Sequence, residues 1–455
     1  MEFGEFILAH EGEDLGALAL ARGRYAGEVE DFDLALTTLE VRRKLRTKVP
    51  SWYAEAGLRY PLRLSGEQCS SEETARYKAQ VAAACCDGHP SAVADLTGGL
   101  GVDSWAYAKV ADQVLYNEMR PELADAARVN FAVLGISNIQ VVSYELCPGN
   151  VVSVLGSFRP DVIFLDPARR ASDGRKVFRL EDCQPDVLQL LPELFAVCPL
   201  VLLKLSPMAD ITLVCKQLAN VKEVHVGVAE SECKELLLLL GKDHDGPYEV
   251  TVYENGSTLH VPVDQDQGAH GVDQVQAGSG PGPILGAGPG PDSMHSKPLG
   301  GMVGGPGPGG ESGPGPGDVM QALSGGEGTE DAGITPILFE PGKALLKAGA
   351  FDLPCDYGLE KLGRHTHLYV GSEVPEALLP FGKVFRLVEA VPMDKRSLKN
   401  IGLRYPKASV TARNIPLTSD ALRKKLGVAD GGSVHIFGAH VDALSAHYLL
   451  ICTPA

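Results

Sequence analysis

Between residues 66 and 242, short apolar runs alternate with stretches whose apolar positions recur at helical spacing. The runs are SAVADLT, DQVLYNEM, NIQVVSY, PDVIFLDP and PLVLLKLSP. Each is a few residues long, β-rich and apolar on both faces, as parallel strands covered by helices on either side should be. The pattern predicts an α/β fold built on a mostly parallel sheet. It breaks at VKEVHVGVAESECKELLLLLGK (221–242), where two apolar runs follow each other across a short polar link. That predicts a hairpin closing the sheet with an antiparallel edge.

Upstream, residues 1–64 read as a polar helical region with a basic knot at VRRKLRTKVPSW. The α/β domain takes residues 65–244, and two small α+β units follow, at 245–375 and 380–455. The first is interrupted by an insertion, 265–332. Its residues 265–330 hold 21 Gly and 9 Pro and no aromatic residue. Such a composition cannot bury enough apolar surface to offset its ordering entropy, which predicts a disordered loop.

Charge and cysteine usage narrow the classes. A formal charge of −17 argues against an indiscriminate nucleic-acid coat protein. Ten cysteines lie scattered without CxxC pairs or Cys/His clusters, the usage of a reducing cytoplasm with no zinc knuckle. No metal is expected. The most apolar stretch, VLQLLPELFAVCPLVLLKL, contains Glu193 and two prolines, so no membrane span is expected either. The acidic N-terminus does not read as a secretory signal.

The candidate chemistry begins at ADLTGGLGVDS (94–104), a strand end, a glycine turn and the start of a helix. Bare glycines let a ligand approach the backbone. The nicotinamide fingerprint fits poorly, since Gly99, Gly101 and Ser104 would have to serve as its glycines. Asp95 before the turn would repel a pyrophosphate but suits a ligand with an ammonium or a sulfonium, and S-adenosylmethionine carries both. Thr97, Gly98, Gly99 and Gly101 form the cradle. Glu118, at the tip of the second run, is placed to take ribose hydroxyls. Glu145, after the third, is placed to accept from an adenine amino group. The fourth run ends in Asp166-Pro167-Ala168-Arg169, beside the expected point of methyl transfer. In EQCSSEETARYKAQ (67–80), Ser70 or Ser71 caps a helix, or Gln68, Ser70 and Lys78 line the methionine end of the cofactor.

These strings, with KLSPMAD, ECKELLLLL, EPGKALLKAGAFD, THLY and ARNIPL, resemble those of bacterial class I S-adenosylmethionine-dependent methyltransferases with a ferredoxin-like insert and a C-terminal THUMP-like domain. The resemblance implies a Rossmann-like, doubly wound sheet with an antiparallel seventh strand, and RNA as the substrate class, with tRNA or rRNA the expected partner. The Asp166–Arg169 loop resembles the Asp-Pro-Pro-aromatic loops of enzymes that methylate nitrogen, although Arg169 stands where those carry an aromatic. Pyrimidine C5 chemistry needs a cysteine thiolate. None lies at either strand end, and Cys183, Cys198, Cys215 and Cys233 read as core residues.

Substrate contacts are expected from Arg170 in a basic loop, Lys204 at a strand end, and Arg413 and Lys424 in the C-terminal unit. Residues 381–455 hold 11 Lys/Arg against 5 Asp/Glu, the segregation that phosphate binding needs. A protein or small-molecule substrate remains the alternative, and a catalytically silent cofactor-binding scaffold the third.

Overall fold

The computed structural model describes residues 1–25, 27–169, 180–229, 232–262 and 336–455. The Gly/Pro-rich insertion and Arg170 lie outside the described residues. Two compact units emerge. One takes residues 1–265, 339–358 and 374–384, the other residues 266–338, 359–373 and 385–455.

The first unit is organised by a nine-stranded sheet. Its strands are β1 (Ala92–Asp95), β2 (Gln113–Asn117), β3 (Ile139–Val142), β4 (Val162–Leu165), β5 (Leu200–Leu205), β6 (Val221–Ala229), β7 (Glu232–Gly241), β8 (Glu249–Glu254) and β9 (Ser257–Val261). They lie in the order β9-β8-β6-β7-β5-β4-β1-β2-β3. Strands β1 to β5 pair in parallel, with Asp95 in register with Tyr116 on one side and Phe164 on the other. Every residue of β1 and β4 is buried, as their two-sided apolarity predicts.

The expected hairpin and its antiparallel strand are present, but that strand is not an edge. Strand β7 is antiparallel but sits inside the sheet, paired with β5 on one side and β6 on the other. A run as apolar as LLLLLG is buried throughout only when both its edges are also hydrogen-bonded. Beyond it, β6 pairs in parallel with β8, and β8 with β9 across an Asn255–Gly256 turn with both residues at positive φ. Residues 249–261, read from sequence as the start of the following small unit, therefore extend the large sheet.

The N-terminal region supplies helices α1 (Phe3–His10) and α2 (Phe32–Lys48). Its basic knot is only partly a surface: Arg42 is buried, donating to Glu11 at 3.1 Å and to the Glu55 carbonyl at 3.0 Å. Trp52 packs edge-on against Trp105, the ring centres 6.3 Å apart, within the main core. Helices α3 (Glu72–Ala84), α4 (Val102–Tyr107) and α5 (Pro121–Val133) complete the frame of the site.

The C-terminal sheet has seven strands: β10 (Ile337–Pro341), β11 (Glu360–Lys361), β12 (Tyr369–Gly371), β13 (Gly382–Pro392), β14 (Ser409–Arg413), β15 (His435–Val441) and β16 (Ala446–Pro454). They run β11-β12-β10-β13-β16-β15-β14. Helix α6 (Lys395–Arg404) is capped by Asp394, and α7 (Ser419–Leu426) by Thr418. The two pack so closely that a Cβ on Gly402 would lie 1.9 Å from the Leu426 carbonyl oxygen. Among the described residues no helix is long and apolar enough to cross a membrane.

Candidate active site

The glycine turn is fixed by its neighbours. A Cβ on Gly98 would come within 2.2 Å of the Tyr116 ring, and one on Gly101 within 2.9 Å of Phe131. Gly99 and Gly101 also sit at φ +54° and +94°, where side chains are disfavoured. Tyr116 Oη donates to the Gly99 carbonyl at 2.6 Å, and Gly98 N–H to the Asn117 carbonyl at 2.8 Å. The Glu118 carboxylate accepts from Gly99 N–H with one oxygen and from Arg120 N–H with the other, both at 2.9 Å. The Asn117 amide donates to the carbonyls of Leu96 and Tyr144, each at 3.1 Å, tying together the tips of β1, β2 and β3.

Asp95 is buried at the end of β1. Its carboxylate accepts from Ser104 Oγ at 2.6 Å and Thr97 N–H at 3.1 Å. Burial pushes its acid up to about 8, against the pull of the Ser104 hydroxyl and with the help of the neighbouring Asp103 and Asp166. Thr97 links this tip to the next: its hydroxyl accepts from Asp166 N–H at 2.6 Å. Asp166 Oδ2 in turn pairs with Lys204 Nζ at 2.5 Å. Burial alone would depress the Lys204 ammonium, but Asp166, Glu235 and Asp103 more than offset it and hold the proton in place.

Asp95, Thr97, Gly98, Gly99, Gly101, Glu118, Asp166 and Lys204 thus share one locality. Pro167 is half-buried, Ala168 is exposed, and the backbone of Ala168 and Arg169 pairs with Cys183 and Gln184. Glu145 lies exposed, three residues beyond the end of β3. Arg413, half-buried at the end of β14, and Lys424, exposed in the last turn of α7, lie in the other unit.

The sequence singled out Ser70, Ser71 and Lys78 but not their buried partners Asp103 and Glu235. Ser71, not Ser70, caps α3 by accepting from Thr74 N–H. Ser70 instead donates to Asp103 at 2.7 Å, and the fully buried Lys78 reaches Ser70, Asp103 and both oxygens of Glu235. A signal existed: a lysine inside TARYKAQVAAA and a glutamate at the head of ELLLLL are charges set in apolar company. No group of three or more metal-ligating side chains occurs among the described residues.

Among solved structures, the chain is similar to that of a Porphyromonas gingivalis W83 protein provisionally named a methyltransferase. The two are 27% identical, with a TM-score of 0.72, over 100% of this chain and 97% of the other. The strand order, with β7 between β5 and β6, completes the assignment. This chain has the class I methyltransferase fold.

Two domain families match the C-terminal part of this methyltransferase-fold chain, a ferredoxin-like domain at residues 338–378 and a THUMP domain-like family at 382–454. Cofactor-bound Rv0187 from MTB is 13% identical over 44% of this chain and 91% of its own, with a TM-score of 0.32. The T. Thermophilus 16S rRNA N2 G1207 methyltransferase, in complex with AdoMet and guanosine, is 15% identical over 37% and 42%, with a TM-score of 0.28. These two likenesses carry no weight for this chain. No curated protein matches the sequence.

Proposed function

We propose that this protein is a cytoplasmic S-adenosylmethionine-dependent methyltransferase acting on a nucleotide nitrogen in tRNA or rRNA, with its C-terminal domains holding the RNA. The observation that carries this reading is the convergence of Asp95, Thr97, Glu118 and Asp166 on one glycine turn. The donor set fits the cofactor. Beside Gly99, whose Cβ position meets nothing closer than 3.9 Å, the turn leaves room for a flat nucleoside, and a buried carboxylate raised by desolvation gains most from a positive ligand. The provisional name of the P. gingivalis relative and the THUMP domain-like match support the same reading.

When bound, the sulfonium supplies an electrophilic methyl carbon. The chain's own residues do the rest by positioning. Asp95 faces the positive end of the cofactor. Glu118, with lone pairs left after the Gly99 and Arg120 amides, accepts from ribose hydroxyls, and Glu145 from the adenine amino group. Asp166 is pinned by Thr97 at its backbone and by Lys204 at Oδ2, which leaves Oδ1 to accept a hydrogen bond from the target nitrogen. With the Pro167 carbonyl and the Ala168–Arg169 backbone it aims the nitrogen lone pair and receives the departing proton. Arg170, Arg413 and Lys424 hold RNA phosphates. Thiolate addition finds no support: burial pushes Cys198 and Cys215 to about 12, Cys233 to about 11, and Cys69 upward.

Mass spectrometry of nucleosides from cells with and without this gene tests the reading. One N-methylated nucleoside should vanish from tRNA or rRNA in the deletion and return with the wild-type gene. Unchanged nucleosides in both pools would reject an RNA substrate.

A further inference from the structure

A line of buried charges runs beneath the glycine turn, and the proposed chemistry does not use all of it. Asp166 meets Lys204 at 2.5 Å. Lys204 lies opposite Leu237 in the β5–β7 register, two residues from Glu235, which is among the carboxylates that hold its proton. Both Glu235 oxygens lie 2.8 Å from Lys78 Nζ. Lys78 is 3.2 Å from Asp103 Oδ1, and Ser70 bridges the two at 3.0 and 2.7 Å. The signs alternate from the tip of β4, through β5, β7 and α3, to the first turn of α4.

Among the described residues, the carboxylates of Asp103, Asp166 and Glu235 gather here around the ammoniums of Lys78 and Lys204. The balance is negative, in a place shielded from water where charge acts over a longer range. Glu235 and Lys78, 3% and 0% exposed, occupy each other and present nothing to a ligand. Replacing both partners of such a pair by apolar residues of similar volume is often neutral or stabilising, so folding alone does not explain its composition.

We propose that Glu235 and Lys78 are positioning residues that set the depth of this negative well, and with it the preference for a cationic sulfonium over the neutral thioether left after methyl transfer. The inference rests on the cofactor assignment above. In the reaction the sulfur–methyl bond breaks and its electron pair stays on sulfur, while the target nitrogen's lone pair forms the new bond and its proton leaves. The ligand loses one positive charge. A well tuned by Glu235 grips the donor and relaxes its hold on the product.

Calorimetry with the full chain tests this directly. In Glu235→Gln, the Kd of S-adenosylmethionine should rise at least about fivefold while that of S-adenosylhomocysteine stays within about twofold. The double variant Lys78→Met/Glu235→Gln, which restores the charge balance, should bring the ratio back toward the wild-type value. Equal weakening of both ligands in Glu235→Gln means a purely structural role and overturns the inference while leaving the cofactor assignment intact. Failure of the wild-type chain to bind either ligand overturns both. Should Glu235→Gln not fold, the wild-type chain still decides. Sinefungin, which carries an amine in place of the sulfonium, should bind at least about fivefold tighter than the thioether, and equal affinities would sink the proposal.

Discussion

At the residue scale, the surroundings of Asp95 and Asp166 differ, and so do the tasks expected of them. Asp166 is half-buried and pinned by a lysine and a threonine, so its truncation removes a directed acceptor without disturbing the turn. Asp166→Ala should lower kcat by about 100-fold or more, a range typical of losing a positioned proton acceptor. S-adenosylmethionine affinity should fall as well, because the same carboxylate belongs to the negative well, while S-adenosylhomocysteine affinity should change by less than about twofold, as calorimetry would show. Asp95 is buried, and its acid is lifted to about 8 chiefly by desolvation. Below that pH the empty site keeps the proton, and a cationic ligand must displace it. Affinity should therefore fall as pH drops below about 8, by up to about tenfold per pH unit, and Asp95→Asn should flatten the dependence. The same shift has a folding consequence of definite sign. The unfolded carboxyl ionises from its ordinary value of 3.8 while the folded one does not. Stability of the ligand-free protein should thus decline as pH rises from about 4 to about 8, read by denaturant titration.

At the scale of elements, the glycine turn is shaped by what lies against it. Gly98 carries no positive φ, yet the Tyr116 ring occupies the space of its missing side chain. Gly98→Ala should cost about 2 kcal/mol through overpacking and abolish cofactor binding, while Gly12→Ala, with nothing within 4 Å, should be silent in thermal melts. The glycine string was legible because a run of glycines at a strand end has few uses. Which glycine was needed for which reason was not, because Tyr116 and Phe131 come from other elements. Strand β7 teaches the same lesson. Its length and apolarity were plain in ELLLLLG, but its place inside the sheet depends on β5 and β6 offering it an edge each.

For the whole molecule, charge segregation carries the functional expectation. The basic residues that set the C-terminal unit apart in an acidic chain include Arg413 and Lys424. Replacing Lys424 or Arg413 by Glu in the full chain should weaken RNA binding evenly across sequences. Each replacement should also reduce the slope of log affinity against log salt by about one. A salt slope unchanged in both variants would remove these residues from the interface. By itself, the order of residues determined the alternation of strands and helices, the bare turn, the acids at the strand tips and the basic C-terminal unit. All of these are local patterns or counts, readable because periodicity and composition act along the chain. Only the folded arrangement decided that β7 and the pair β8–β9 extend the sheet, that Lys204 belongs to Asp166, and that Lys78 answers Glu235 157 positions away. Those outcomes depend on burial and on which edges and charges meet in space, and no window of sequence contains both partners.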